Sequence, residues 1–390
     1  MEDFTEERQS GPRKGNGLFA RKKFEKGDVV LHEKPLVCCQ FAYNEDCGYR
    51  ACEYCLSPLE TAQENAQRLS GIPALALPHP ELDPVNPKNF QSCPGCAVMY
   101  CSVSCMDEAA RRYHRTLCHN PHDPAHPLNI LRNAWKEIHF PPESFNIMIM
   151  AKVAAMYQQA DAKDREELLR TLNRFESDAV NADEGIAHKV LGEQFKVQLD
   201  AMRVLLASAF KDEAIKSWWS ASNFLSLFAI FARNAQGIGT SSFGMWQKNV
   251  NHLPNADKET TELITAVYVA IEDRTGEEFM DNEGSALFVR QRACNHSCQP
   301  NTQVNFLSND FTLTLTATQP INPGDEIVIS YLSECQLERS RHSRQKVLRE
   351  HYLFHCTCPK CQAESSQADV TSGEDEWEDE DDEEAMEEGG

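Results

Sequence analysis

Sixteen cysteines in 390 residues are the first sign of chemistry in this chain. Cys52 and Cys55 stand two residues apart, as do Cys93 and Cys96; Cys101 with Cys105, and His114 with Cys118, stand three apart. Gaps of this length let one turn of chain present both ligands to one ion. Seven thiolates and one imidazole suffice for two tetrahedral zinc sites. Cys356, Cys358 and Cys361 form a further run that leaves a tetrahedral ion one ligand short. The plainer reading is a set of structural cysteines without metal. Cys38, Cys39, Cys47, Cys294 and Cys335 stand outside these groups and are expected to be small buried apolar side chains.

Three other segments carry residue types suited to a small-molecule site: Lys14-Gly15-Asn16-Gly17-Leu18-Phe19-Ala20, Cys294-Asn295-His296-Ser297-Cys298-Gln299-Pro300-Asn301, and Gly324-Asp325-Glu326-Ile327-Val328-Ile329-Ser330-Tyr331. The elements that must position them are readable in outline. Residues 28–37 are rich in β-branched side chains and predict short strands. Val304, Phe306, Phe311, Leu313 and Leu315 alternate, and Asn322-Pro323-Gly324 predicts a turn before a strand at Ile327-Val328-Ile329. Between these stretches, residues 128–273 show helical apolar spacing, as in 147–157, 189–210 and 218–232. Residues 341–354 also read as helix. The insert between Cys55 and Cys93 has a helical stretch followed by Pro73, Pro78, Pro80, Pro84 and Pro87, and could loop out. No repeat of 20–50 residues is evident.

Composition narrows the class. Hydrophobic content of 41% with mixed charge describes a globular chain large enough for two or three units. No apolar run approaches the roughly 20 residues of a membrane span, and the first residues are acidic, without an apolar signal stretch. An intracellular protein, cytoplasmic, nuclear or both, is expected, and in that setting cysteines serve as metal ligands rather than disulfides. The net charge is −22; residues 374–390 hold twelve acids and no Lys or Arg, which leaves −10 for the rest. Such a tail is expected to be disordered and to draw basic partners. Direct nucleic-acid binding is not expected of so acidic a chain, nor is membrane association.

The three segments together resemble the SET-domain protein methyltransferases, in family order at both ends of one chain. The spacing of the last six finger ligands, with Tyr100 before Cys101, resembles the MYND finger. A SET domain split by a MYND finger is the arrangement of the SET-and-MYND (SMYD) family, and the resemblance covers residues 12–362. It implies an α+β architecture. A β-rich SET fold with a pseudoknot is interrupted by the finger and a helical insertion, and closed by a post-SET zinc segment. The expected bounds are 1–50 for the N-terminal SET part, 51–118 for the finger with its long insert, and 119–280 for the helical insertion. Residues 281–334 would be the C-terminal SET core, 335–362 the post-SET segment and 363–390 the acidic tail. Most members continue into a large helical-repeat domain where this chain has its tail, which implies a more open substrate cleft.

The resemblance also implies roles. Cys52, Cys55, Cys101 and Cys105 would hold one zinc, and Cys93, Cys96, His114 and Cys118 a second. Cys298 would join Cys356, Cys358 and Cys361 around a third, clamping the C-terminal segment over the cofactor and lysine channel. Gly15, Asn16 and Gly17 would approach S-adenosylmethionine by their backbone; Asn295 and His296 would hydrogen-bond it, Phe354 would pack on its adenine, and Asn234 would add a contact. Tyr331 would be the catalytic tyrosine at the cofactor, and Tyr352 would line the lysine channel. The implied reaction is methyl transfer to lysines of basic proteins, histones or others such as ribosomal proteins, with a place in chromatin regulation among the possibilities. Only about one lysine in a few thousand is neutral at pH 7, so the channel must lower the amine's pKa by desolvation and by the nearby sulfonium charge. The alternative is an adaptor whose finger recruits Pro-rich peptides while the SET fold is idle. A monomer is expected.

Overall fold

The computed structural model describes residues 4–11, 14–138, 145–176, 186–253, 258–275, 282–352 and 354–367. The expected disordered tail lies outside these from residue 368 onward. The described residues fall into two compact units: one drawn from Met1–Glu33, Arg290–Asn305 and Thr314–Gly390, the other from Lys34–Val289 and Phe306–Leu313.

In the first unit a four-stranded sheet runs in the order Thr5–Gly11, Gly15–Ala20, Glu326–Ile329, Asn295–His296. The first three strands are antiparallel, and the last pair is parallel, with Val328 opposite Asn295 and Ile329 opposite His296. Strand periodicity puts Ile327 and Ile329 on one face, where both are buried with Leu18. The predicted turn forms: Gly324 has φ +90°, a conformation open to glycine, and the Asp325 carboxylate accepts from the Asn322 N–H at 2.8 Å. Asn301 acts as a piece of strand, donating its amide to the Glu326 carbonyl at 2.8 Å and accepting from the Val328 N–H at 2.9 Å. A second sheet joins Thr302–Asn305, Leu313–Ala317 and Val29–Glu33. The two alternating stretches flank a turn in which Asn309 has φ 52°. The helix Arg341–Tyr352 is the one predicted over 341–354; it carries Arg344 and Leu348 inward on one face.

The second unit has an antiparallel sheet with Asn282–Leu287 between Val37–Gln40 and Gln236–Thr240. The helices Met148–Gln159, Ile186–Ala209 and Ala221–Asn234 match the three stretches of helical spacing. From Met148 to Met156 every residue of the first is buried, the mark of an all-round core helix. The insert between Cys55 and Cys93 does not loop out. Its helix Ala62–Ser70, held by a Thr61–Glu64 capping box, and its Leu75 and Leu77 pack with Trp246, Phe243, Ile264 and Ile271 in one apolar cluster. The prolines withdraw N–H donors, but their neighbours' carbonyls remain, and the Trp246 indole N–H meets those of Pro78 and His79 at 3.1 and 3.2 Å.

A buried cation lies at the centre of this unit. Lys152 Nζ donates to the carbonyls of Cys38 at 3.0 Å and Glu53 at 2.9 Å and pairs with Glu53 Oε1 at 2.6 Å; Tyr113 gives its hydroxyl to Glu53 Oε2 at 2.7 Å. The carboxylate holds the ammonium charged against burial. Replacing Lys152 by Met would leave the carboxylate without its cation and the carbonyls of Cys38 and Glu53 without this donor. We expect a loss of about 3–5 kcal/mol in denaturant unfolding followed by tryptophan fluorescence; an unchanged midpoint would show that the pair contributes nothing net.

Candidate active site and metal centres

Three groups of four ligand atoms, each group within 4.8 Å, occur among the described residues: Cys52, Cys55, Cys101, Cys105; Cys93, Cys96, His114, Cys118; and Cys298, Cys356, Cys358, Cys361. A zinc–sulfur bond of about 2.3 Å makes a tetrahedral edge of about 3.8 Å. The sulfurs lie 3.6 Å apart for Cys55 and Cys101, 3.5 Å for Cys101 and Cys105, 3.6 Å for Cys93 and Cys118, and 3.6 and 4.0 Å from Cys298 to Cys361 and Cys356. The shorter edge expected for a nitrogen ligand is matched by 3.4 Å between Cys96 and His114 Nε2. Local sequence explains the approach. Ser102 caps the helix Val103–Ala109 by accepting from the Cys105 N–H, and a side chain at Gly95 would strike Cys118 Sγ at 2.9 Å. The sulfurs compete for protons: hydrogen bonding with Cys101 drives the Cys55 thiol far up and Cys105 far down, and in the third group Cys298 drives Cys358 far down. A divalent cation resolves that conflict by replacing the protons.

The leftover cysteines divide. Cys38, Cys39 and Cys294 are buried as expected, and burial pushes the Cys38 and Cys39 thiols up to about 12 and about 11. Cys47 and Cys335 are exposed; Cys47 caps the C-terminus of the short helix Ala42–Asp46, and Cys335 lies in the helix Glu334–Glu338, which buries no residue.

Tyr331 stands at a junction of four side chains in the first unit. Its ring centroid lies 4.9 Å from Tyr352, 5.4 Å from His296 and 6.3 Å from Phe354. Its hydroxyl donates to the Cys294 carbonyl at 2.8 Å, and burial raises its pKa, so the phenol stays protonated. Its N–H donates to His296 Nδ1 at 2.9 Å. That contact makes Nδ1 the acceptor and leaves the proton on Nε2, which faces Cys298 Sγ at 3.3 Å. Burial lowers the His296 pKa to about 4, so the ring is neutral at pH 7. One imidazole thus joins the third cysteine group to the tyrosine.

Gly15, Asn16 and Gly17 open the strand Gly15–Ala20, and the structure ties them to Asn295. The Asn295 amide donates to the Asn16 carbonyl at 3.2 Å and to Glu326 Oε1 at 2.7 Å; Ser10 and Lys14 also donate to Glu326. A Cβ at Gly17 would meet Glu326 Oε1 at 2.7 Å, so close approach demands the glycine. The side chains of Asn295 and His296 are therefore committed to protein partners and position the segment. Nothing in its sequence motif marks Glu326 as a hub, because that part depends on three partners from distant segments. Asn234 belongs to the second unit, at the end of Ala221–Asn234, where its side chain bonds the backbone of Glu176 and Ile230.

The SET domain family model matches residues 15–332. The chain is 48% identical over 368 residues to the protein-lysine N-trimethyltransferase SMYD5 of Danio rerio, covering 93% of this chain and 88% of that one. It is 48% identical over 366 residues to SMYD5 of Homo sapiens, covering 93% and 87%. The histone-lysine N-methyltransferase ATXR2 of Arabidopsis thaliana is 26% identical over 324 residues, covering 75% and 66%. The chain belongs to the SET-domain family of protein-lysine N-methyltransferases, enzymes that use S-adenosylmethionine. Within that family its place is beside SMYD5.

Gly17→Ala should displace the Glu326 carboxylate from the Asn16–Asn295 junction. Calorimetry should show S-adenosylmethionine binding weakened about tenfold or more, a cost of about 1.4 kcal/mol, with little change in melting temperature. Wild-type affinity in the variant would show that the junction does not shape the cofactor site.

Proposed function

We propose that this enzyme transfers methyl groups from S-adenosylmethionine to lysines of basic, Lys-rich proteins, histones and ribosomal proteins among the candidates. We further propose that it carries three zinc ions and that its product is trimethyl-lysine, as the names of its SMYD5 relatives state for them. The observation that carries the reading is Tyr331, with its hydroxyl proton committed to the Cys294 carbonyl and its ring packed among His296, Tyr352 and Phe354.

The residues fit the cofactor. Tyr331, Tyr352 and Phe354 are only half-buried, leaving aromatic surface beside the hydrogen-bonded Asn16–Asn295 junction, a setting suited to a flat heterocycle flanked by polar groups. When bound, the cofactor supplies a methyl on a sulfonium, so the protein's share of the work is alignment, a neutral amine and exclusion of water. Because the Tyr331 hydroxyl gives its proton to Cys294, its oxygen is left as an acceptor. A substrate amine donating to that oxygen would have its lone pair oriented rather than free to rotate. The aromatic rings provide the apolar walls that lower the amine pKa, and Tyr352 adds a hydroxyl, held 3.3 Å from the Tyr331 carbonyl. The net charge of −22 favours encounter with basic substrates through long-range attraction, which salt weakens.

Tyr331→Phe removes the oriented acceptor and almost no volume. The kcat should fall on the order of 10²–10³-fold with cofactor affinity nearly unchanged, while His296→Ala should weaken cofactor binding as well. These are read with labelled cofactor on a pool of basic proteins, with mass spectrometry of the modified lysines. A Tyr331→Phe enzyme as fast as wild type would remove the tyrosine from the mechanism, and wild type that binds cofactor yet methylates nothing would favour the adaptor role. Elemental analysis should return three zincs per folded chain, one for each ligand group; two or fewer would reject that count.

A further inference from the structure

Arg344 is 1% exposed on the inward face of Arg341–Tyr352. Its Nη1 donates to the Arg339 carbonyl at 2.6 Å. Its Nη2 reaches Cys361 Sγ at 3.7 Å and Glu364 Oε2 at 2.5 Å. Glu364 stands beyond the last cysteine, within the stretch expected to be tail, yet it is held in this ion pair.

The charge of the third cysteine group explains why a cation is buried here. A divalent ion held by four thiolates carries about −2 overall, and a buried net charge is costly unless it is paired. The group with His114 carries about −1. In the other two groups Cys101, Cys105, Cys93 and Cys118 are only half-buried, so water screens them. Cys298, Cys356, Cys358 and Cys361 are all buried, and this is where the guanidinium lies against a sulfur.

We propose that Arg344 is the charge-compensating partner of the third zinc centre, donating an N–H to the Cys361 thiolate and shielding it from electrophiles. Glu364, sharing the same nitrogen, sets how much of that positive charge the sulfur receives. Arg344 is a positioning residue: the centre it protects is anchored at Cys298, whose sulfur the His296 ring meets, and at Cys356, close after Tyr352 and Phe354. The proposal rests on the reading that this group holds zinc.

The test uses the full zinc-loaded chain, alkylated with iodoacetamide while pyridylazoresorcinol reports released zinc, and mass spectrometry maps the alkylated cysteine. Arg344→Met should release one zinc about tenfold faster, in the range seen when a metal ligand loses its hydrogen-bond partner, with Cys361 alkylated first and the other two zincs unaffected. Arg344→Lys should fall between Met and wild type. Glu364→Gln removes the carboxylate charge that competes with the sulfur for the guanidinium and should release zinc more slowly than wild type. A purely structural ion pair makes Glu364→Gln faster instead, and that result overturns the proposal, as does wild-type release from Arg344→Met. Should Arg344→Met not fold, the sign of the Glu364→Gln change decides alone. Wild type holding only two zincs would defeat the zinc reading itself, a different outcome from three zincs with unaltered release.

Discussion

The neutral imidazole of His296, placed between the Tyr331 N–H and the Cys298 sulfur, is the interaction on which the first unit depends. Each contact has a fixed polarity. Tyr331 can only donate through its backbone nitrogen, so the ring must accept at Nδ1 and donate at Nε2. The Cys298 sulfur is the acceptor that the second nitrogen needs. The bond from the Tyr331 N–H occupies Nδ1 and so disfavours the competing form in which both nitrogens donate. The Cys298 group and Tyr331, separated by more than thirty residues of chain, are therefore held in one register by a side chain with a single permitted tautomer.

The rest of the site follows from where this junction sits in the sheet. Parallel pairing of Asn295–His296 with Val328–Ile329 sets Asn295 beside the strand that begins at Glu326. The carboxylate then gathers Ser10, Lys14 and Asn295, which brings the N-terminal hairpin to the same place. Asn301 continues the pairing with its side chain where the parallel bridge ends. Charge is handled locally throughout: Glu326 by its three donors, and Arg344 by Glu364 and the Cys361 sulfur. In the other unit Lys152 and Glu53 do the same.

The legible parts of this protein were those set by spacing along the chain. The ligand pairs, with two- and three-residue gaps, could be read before any fold was known, while their interleaving into two groups of four came from the resemblance. Cys298 could not: it lies 58 residues from Cys356, and only the resemblance joined them. The strand at Glu326–Ile329 and the helix Met148–Gln159 followed from periodicity. Glu326, Arg344 and Lys152 were invisible as functional or structural centres, because a charged residue looks the same in sequence whether it is solvated or buried against a partner. The Pro-rich insert was misread for a related reason: prolines mark the absence of a helix, not the absence of a core, and Leu75 and Leu77 bury without regular structure. The Asn234 side chain bonds the backbone of Glu176 and Ile230 at the end of its helix, contacts that no spacing along the chain signals.

The most direct test of the account is the tautomer of His296 in the zinc-loaded protein, read by long-range nitrogen–proton correlation NMR of the histidine rings and assigned with a His296 variant. The account predicts that the neutral ring carries its proton on Nε2 and accepts at Nδ1. A neutral ring protonated at Nδ1 would contradict it, since that form could not accept from Tyr331 while donating to Cys298.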